Sequence, residues 1–129
     1  MAHTTVLVVD DDMGMVDTLV DILSANGYDV AGAHSGEAAI SMVSESHYDV
    51  ALMDIQMPGL NGVEVLKTIR TVAPDLTVIM MTAFTSDELV EEARRASAVD
   101  VLFKPFDIAR VLDLISRSAR PGGDQGARA

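Results

Sequence analysis

The sequence predicts an α/β fold in which a parallel β-sheet is covered by α-helices on both faces. Short, almost wholly apolar runs alternate five times with segments of helical periodicity, and this alternation is typical of repeated βα units. The apolar runs contain many β-branched residues and few polar ones, as expected of strands that are buried on both faces.

Apolar runs, helical periodicity and capping residues locate the individual elements. Strands are predicted at residues 5–9, 29–33, 49–53, 77–81 and 100–103, and helices at residues 13–25, 36–45, 62–72, 86–97 and 107–118. Asp12 precedes the first helix and is interpreted as its N-cap, since Asp is favoured there. Asn26 and Gly27 suit a helix end in the left-handed conformation. Gly32 makes the second strand the least regular of the five.

Length, charge and composition restrict the class of protein. The 129 residues suffice for one domain, and the net charge of −11 opposes sequence-independent binding to nucleic acid or to anionic membrane. Cysteine is absent, and no apolar run is long enough to cross a bilayer. We expect a cytoplasmic domain at residues 1–119, followed at residues 120–129 by a flexible tail or the start of a linker, because that segment is rich in Gly.

Chemically active residues follow the predicted strands at the ends that parallel strands share. Asp10, Asp11 and Asp12 follow the first strand, Asp54 the third, Thr82 the fourth and Lys104 the fifth. Open α/β sheets bind their ligands at this edge. The strand order 2-1-3-4-5, adopted from the flavodoxin-like, doubly wound fold type, places strands 1 and 3 side by side. The acidic side chains should therefore converge.

Convergent carboxylates favour a bound cation. Two such charges about 5 Å apart repel by roughly 3 kcal/mol at an effective dielectric of about 20. Mg²⁺ offsets this repulsion and binds carboxylates, water and phosphate oxygens. The set suits phosphoryl transfer, with Asp54 as the attacking carboxylate. Lys104, the Thr82 hydroxyl and the Ala83 backbone N–H would then hold the phosphoryl oxygens.

Four segments surround these residues. They are Val-Val-Asp-Asp-Asp at 8–12, Met-Asp-Ile-Gln-Met-Pro-Gly-Leu-Asn-Gly at 53–62, Met-Thr-Ala at 81–83 and Lys-Pro-Phe at 104–106. Together they resemble the motifs of the receiver domain of bacterial two-component response regulators. Their order and spacing extend the resemblance over about residues 4–119.

This resemblance implies that Asp54 is the phospho-acceptor, that a sensor histidine kinase is the donor, and that the domain is not a multiple-turnover enzyme. The implied ligands of Mg²⁺, or of Mn²⁺ in its place, are Asp11, Asp54, the backbone carbonyl of Gln56 and, through water, Asp10. The peptide bond between Lys104 and Pro105 is implied to be cis, which costs little only before proline.

The chain departs from the family pattern at its switch position. Receivers usually carry Tyr or Phe three residues before the conserved Lys, whereas this chain has Val101. The usual coupling of that aromatic residue to Thr82 is therefore in doubt, and Phe103 or Phe84 could cover the switch surface instead. Gln56 and Phe84 lie two positions beyond Asp54 and Thr82, flank the path of attacking water and should tune the lifetime of the phosphorylated state.

Phosphorylation should shift the population between two conformations. It adds roughly −1.5 to −2 charges, so a state that brings Thr82 and Lys104 closer to the phosphoryl group is favoured. We expect the face formed by the fourth predicted helix, the fifth strand and the fifth helix to change its affinity for a downstream effector or output domain, or for a second copy of the chain.

Two alternatives belong to other classes. A haloacid-dehalogenase-like phosphatase also uses an Asp nucleophile and Mg²⁺, and Asp10 with Asp12 fits its motif. That family has Thr or Val where this chain has Gly14, and it would turn over small phosphate esters. The other alternative is a flavodoxin-like cofactor binder, which a colourless preparation that binds Mg²⁺ would exclude, or an inert pseudo-receiver that serves only protein contacts. The acceptor Asp54 argues against the inert module.

Overall fold

The computed structural model describes residues 4–54, 56–57, 60–82, 91, 100–103 and 108–118. Its elements are β1 Thr5–Val9, α1 Met13–Ala25, β2 Asp29–Ala33, α2 Gly36–Glu45, β3 Val50–Asp54, β4 Gln56–Met57, β5 Leu60–Asn61, α3 Gly62–Val72, β6 Thr77–Thr82, β7 Asp100–Phe103 and α4 Ile108–Ser118. The predicted bounds of the first three helices are confirmed. The predicted helix at 86–97 lies outside the described residues except for Glu91, which is helical.

Five of the described strands form one parallel sheet, in the order β2-β1-β3-β6-β7. Val9 of β1 pairs with Ala33 of β2 and with Met53 of β3, and Asp54 pairs with Met81 of β6. This order matches the flavodoxin-like order 2-1-3-4-5 that was expected, so the α/β class is confirmed. The complement of five helices stays a prediction.

The bounds of two strands differ from the prediction. The third strand runs from Val50 to Asp54 instead of 49–53, and the fourth continues to Thr82. Each strand extends to its polar last residue because that residue is paired, Asp54 with Met81 of β6 and Thr82 with Phe103 of β7. A second, two-stranded sheet pairs β4 with β5 antiparallel and was not predicted.

The sheet is buried on both faces because alternate residues of each strand point to opposite sides. In β1, Leu7 belongs to the core shared with α2 and α3. Val6 belongs to the core shared with α1 and α4. Two helices therefore cover each face in the described part of the chain. The resulting layers hold the strand ends in a fixed arrangement.

Local signals set the ends of α1 and its distance from the sheet. Asp12 caps the N-terminus of α1, as predicted, and Gly27 follows its end with φ 94°, a conformation that costs glycine little. A Cβ added at Gly32 would lie 2.5 Å from Cγ1 of Val16. The glycine that makes β2 irregular in sequence thus lets α1 pack closely on this strand.

At the amino edge of the sheet, Asp49 ties two strands together. Its Oδ2 accepts hydrogen bonds from the backbone N–H and the hydroxyl of Thr5, at 2.9 and 3.1 Å, and its Oδ1 lies 3.0 Å from Nε2 of His47. Burial raises the pKa of Asp49, but the hydrogen bonds from Thr5 and His47 outweigh this effect, so that its pKa lies below the ordinary value. The carboxylate form is therefore favoured by the folded state.

Asp49 should make the stability of the domain depend on pH. Because its pKa is lower in the folded state than in the unfolded chain, its contribution is complete above the unfolded pKa and is lost as the pH falls through the folded one. Asp49→Asn should lower the free energy of unfolding by about 1 kcal/mol at pH 7. Urea denaturation between pH 7 and pH 3 should show a shallower acid loss for this variant.

Asp21→Asn, on the exposed face of α1, is the control and should keep the acid dependence of the unaltered protein. Equal acid dependence of the Asp49→Asn variant and the unaltered protein would contradict this account.

Candidate metal centre

The site lies at the carboxyl edge of the sheet, where β1 and β3 end next to each other. Val9 and Met53 are paired, and the next residues along the two strands are Asp10 and Asp54. Parallel pairing thus brings together two carboxylates that are 44 positions apart in the sequence. Asp11 follows directly after Asp10, at the turn toward α1.

Asp10, Asp11 and Asp54 form an acidic cluster. Each offers one carboxylate oxygen, and these oxygens all lie within 4.8 Å of one another. Asp10 and Asp54 are buried, with exposed fractions of 1% and 7%, while Asp11 is exposed. In the part of the chain that the structure describes, no other three His, Cys, Asp or Glu side chains come together in this way. The predicted convergence of these three residues is confirmed.

Backbone contacts fix the position of Asp10. Its own N–H donates to the carbonyl oxygen of Ala33 at 3.1 Å, and its Oδ1 accepts from the N–H of Asp12 at 3.0 Å. The side chain of Asp12 accepts from the N–H of Met15 at 3.1 Å. Asp12 therefore caps α1, as predicted, and is not a member of the acidic cluster.

The cluster fits a hard divalent cation. Carboxylates this close repel one another, and the repulsion is larger for buried than for solvated groups because the effective dielectric is lower. The donors are all oxygen atoms, which favours Mg²⁺, Ca²⁺ or Mn²⁺ over metals that prefer imidazole or thiolate. Because Asp11 is exposed, a cation held by these residues would remain accessible to solvent and to an incoming anion.

The other predicted site residues are placed only in part. Thr82 ends β6 directly after Met81, which pairs with Asp54, so its backbone lies at the same edge. Gln56 begins β4 and pairs with Asn61. Val101 lies in β7 opposite Met80. Ala83, Phe84, Lys104 and Pro105, and with them the predicted cis peptide bond, lie outside the described residues.

Two features of this edge were not predicted from the sequence. The hydrogen bond from the Asp12 N–H to Asp10 has no sequence signature, because it depends on how the chain turns between β1 and α1. The β4–β5 hairpin does have one. Pro58 and Gly59 stand between the two short strands, and Pro-Gly is a frequent turn dipeptide.

The fold is a flavodoxin-like α/β domain, and its acidic edge is a carboxylate cluster that fits a divalent cation. The sequence profile described as response regulator receiver domain matches residues 6–116. The chain therefore belongs to the response regulator receiver domain family. This membership favours the receiver over the haloacid-dehalogenase-like alternative.

Relatives of two kinds support this assignment. The chain is 37% identical over 122 residues to transcriptional regulatory protein ZraR of Salmonella typhimurium. This match covers 95% of the chain but only 28% of that longer protein. It is 36% identical over 116 residues to chemotaxis protein CheY of Thermotoga maritima, and 30% identical over 117 residues to sporulation initiation phosphotransferase F of Bacillus subtilis. These matches cover 97% and 94% of the two shorter relatives, and 89% and 91% of this chain.

Solved structures show the same fold. The CheY-like receiver domain protein of Methanospirillum hungatei superposes with a TM-score of 0.91 at 26% identity, covering 99% of this chain and 100% of that one. Response regulator protein TrrA of Thermotoga maritima, in complex with Mg²⁺ and BeF, gives a TM-score of 0.76 at 29% identity. This match covers 88% of this chain and 97% of that one. In the described residues of this chain, no helix is both long and apolar enough to span a membrane.

Proposed function

We propose that this domain is a phospho-acceptor switch in a two-component phosphorelay, in which Asp54 accepts a phosphoryl group from a sensor histidine kinase while Mg²⁺ is bound beside it. One observation carries the proposal. A buried carboxylate at the end of β3 lies within 4.8 Å, oxygen to oxygen, of two further carboxylates. Membership of the receiver family supports it, and so does the magnesium complex of the relative TrrA.

The acidic cluster would hold the cation through Asp11 and Asp54 directly, through the backbone carbonyl of Gln56, and through Asp10 by way of water. Mn²⁺ is the alternative ion, since it accepts the same oxygen ligands. When bound, the cation supplies positive charge that offsets the repulsion of the carboxylates and the charge on the phosphoryl oxygens.

In the transfer, a carboxylate oxygen of Asp54 attacks the phosphorus atom in line with the bond to the donor. The new oxygen–phosphorus bond forms as the bond to the donor's histidine nitrogen breaks, and the product is an acyl phosphate on Asp54. The Thr82 hydroxyl, the Ala83 N–H and the Lys104 ammonium hold the phosphoryl oxygens. The end of β6 beside Asp54 supports this placement of Thr82.

Hydrolysis resets the switch, and two residues are proposed to set its rate. Gln56 and Phe84 flank the line along which water reaches the phosphoryl group, so their size and polarity determine how often a water molecule attacks. The domain is thus modified once per cycle and does not act as a multiple-turnover enzyme.

The output surface is proposed to include β7, α4 and the helix predicted at 86–97. Thr82 moves toward the phosphoryl group, and β7, which carries Val101, adjusts with it.

The receiver unit is proposed at residues 1–119 and a tail or linker at 120–129. Because the chain spans only 28% of the ZraR sequence, a downstream effector or output domain is part of the proposal. A cytoplasmic location is also proposed.

Phosphorylation of Asp54 can be tested by intact-mass measurement. After incubation with acetyl phosphate and Mg²⁺, the unaltered protein should gain the mass of one phosphoryl group, and no more, because there is one acceptor. Asp54→Asn should gain none, since a neutral amide is not a nucleophile for phosphorus. An unlabelled wild type would favour the inert pseudo-receiver, and equal labelling of the variant would place the acceptor elsewhere.

Mg²⁺ should stabilise the folded domain. A ligand at about 100 times its dissociation constant adds about 2.7 kcal/mol to the free energy of unfolding, so thermal denaturation should shift upward with added Mg²⁺. Asp11→Asn should weaken this shift, and in EDTA it should melt no lower than the unaltered protein because one repulsive charge is gone. Asp17→Asn, exposed on α1, is the control. A melting temperature independent of Mg²⁺ in the unaltered protein would contradict the site.

Activation should alter the proposed output surface. Fluoroberyllate, which stands in for the phosphoryl group, should change amide hydrogen exchange at residues 100–118, self-association in sedimentation velocity, or both. Asp54→Asn should show neither change, because the analogue has no carboxylate to join. If hydrogen exchange and self-association of the unaltered protein stay constant after loading with fluoroberyllate, the proposed conformational shift is wrong.

A further inference from the structure

We propose that Asp12 is a positioning residue of the metal site, which holds Asp10 in place through the start of α1 without binding the cation itself. The inference rests on the proposed function of the acidic cluster, and adds to it a residue whose role is not that of a ligand.

Three hydrogen bonds converge on Asp12. Its N–H donates to Oδ1 of Asp10 at 3.0 Å. Its Oδ1 accepts from the N–H of Met15 at 3.1 Å, and its carbonyl oxygen accepts from the N–H of Val16 at 3.0 Å. The last two bonds belong to the first turn of α1. The donor that orients Asp10 is thus part of the helix cap.

The first turn of α1 is itself anchored to the sheet. Val16 is 1% exposed, and its Cγ1 occupies the space that Gly32 of β2 leaves by having no side chain. On the other side of Asp10, its backbone N–H is bonded to Ala33, which ends the same strand. Asp10 is therefore held by β2 through its main chain and by α1 through its carboxylate.

Loss of the cap should weaken the contact between α1 and the carboxylate of Asp10. Without a side-chain acceptor for the Met15 N–H, the first turn frays, and the N–H of Asp12 no longer keeps a fixed direction. Asp10 then samples more orientations, and cation binding must restrict them again. The expected result is weaker binding even though every oxygen of the cluster is still present.

The charge of Asp12 must be separated from its capping role. A carboxylate this near the cluster also attracts a cation through space, so any neutral substitution weakens binding for that reason alone. Asp12→Asn and Asp12→Ala both remove the charge, but Asn caps a helix about as well as Asp does, whereas Ala does not. The difference between these two variants isolates the positioning effect.

The chain offers a matched control at the same edge of the sheet. Ser35 caps α2 in the same manner, with its Oγ accepting from the N–H of Ala38 at 3.1 Å. The three residues of the acidic cluster lie at the ends of β1 and β3, and α2 follows β2. Ser35→Ala and Ser35→Asn therefore compare a lost and a retained cap on a helix that follows neither β1 nor β3.

The measurement is a titration with MgCl₂ followed by ¹H–¹⁵N correlation spectra of the amides of residues 10–12. Asp12→Ala should bind Mg²⁺ about threefold or more weakly than Asp12→Asn, a loss on the scale of a missing cap. Ser35→Ala and Ser35→Asn should bind alike. At saturating Mg²⁺, labelling by acetyl phosphate should be equal in the two Asp12 variants, because the ligand set is intact.

Equal Mg²⁺ affinity of Asp12→Ala and Asp12→Asn would overturn the inference, and so would an equally large difference between the two Ser35 variants. If Asp12→Ala does not fold, Asp12→Thr, a weaker cap than Asn, takes its place under the same criterion. Failure of the unaltered protein to bind Mg²⁺ at all would instead refute the proposed function, so the two failures are distinguishable.

Discussion

The structure depends on one constraint, which is that parallel strands in register bring buried carboxylates together. Val9 and Met53 are paired in the interior of the sheet, so Asp10 and Asp54 emerge side by side where the strands end. Neither residue can withdraw, because the strands behind them are buried on both faces by helices. The repulsion between the carboxylates is thus built into the fold and favours the binding of a cation.

Aspartate carboxylates have different surroundings at the two edges of the sheet. At the amino edge, Asp49 accepts hydrogen bonds from Thr5 and lies beside His47, and its lowered pKa reflects these donors. At the carboxyl edge, Asp10 and Asp54 lie within 4.8 Å of Asp11, so each carboxylate faces another. The first arrangement stabilises the folded chain, whereas the second concentrates negative charge, which favours the binding of a cation.

Local features were predictable from the sequence and non-local ones were not. The bounds of α1, α2 and α3 were predicted from periodicity and from local signals such as the Asp12 cap, which act within a few residues. The extension of β3 to Asp54 depends on a partner in β6 and was missed by one residue. The strand order came from the fold type, since nothing within a single strand encodes its neighbour. The convergence of the acids was predicted only because of that order.

The packing on the two sides of the acidic cluster indicates where a conformational change can occur. On the β1 side of the cluster, Asp10 is held by Ala33 and by the start of α1, whose Val16 is packed against β2. A shift there would disrupt a close-packed core, which proteins resist. On the other side, Thr82 ends β6 opposite Phe103 of β7, and among the described residues β7 is the last strand of the sheet. An edge strand has a partner on one side only, so it moves at lower cost than β1 or β3. Under the proposed function, the cation site therefore stays rigid, and the β6–β7 side changes conformation when the phosphoryl group is bound.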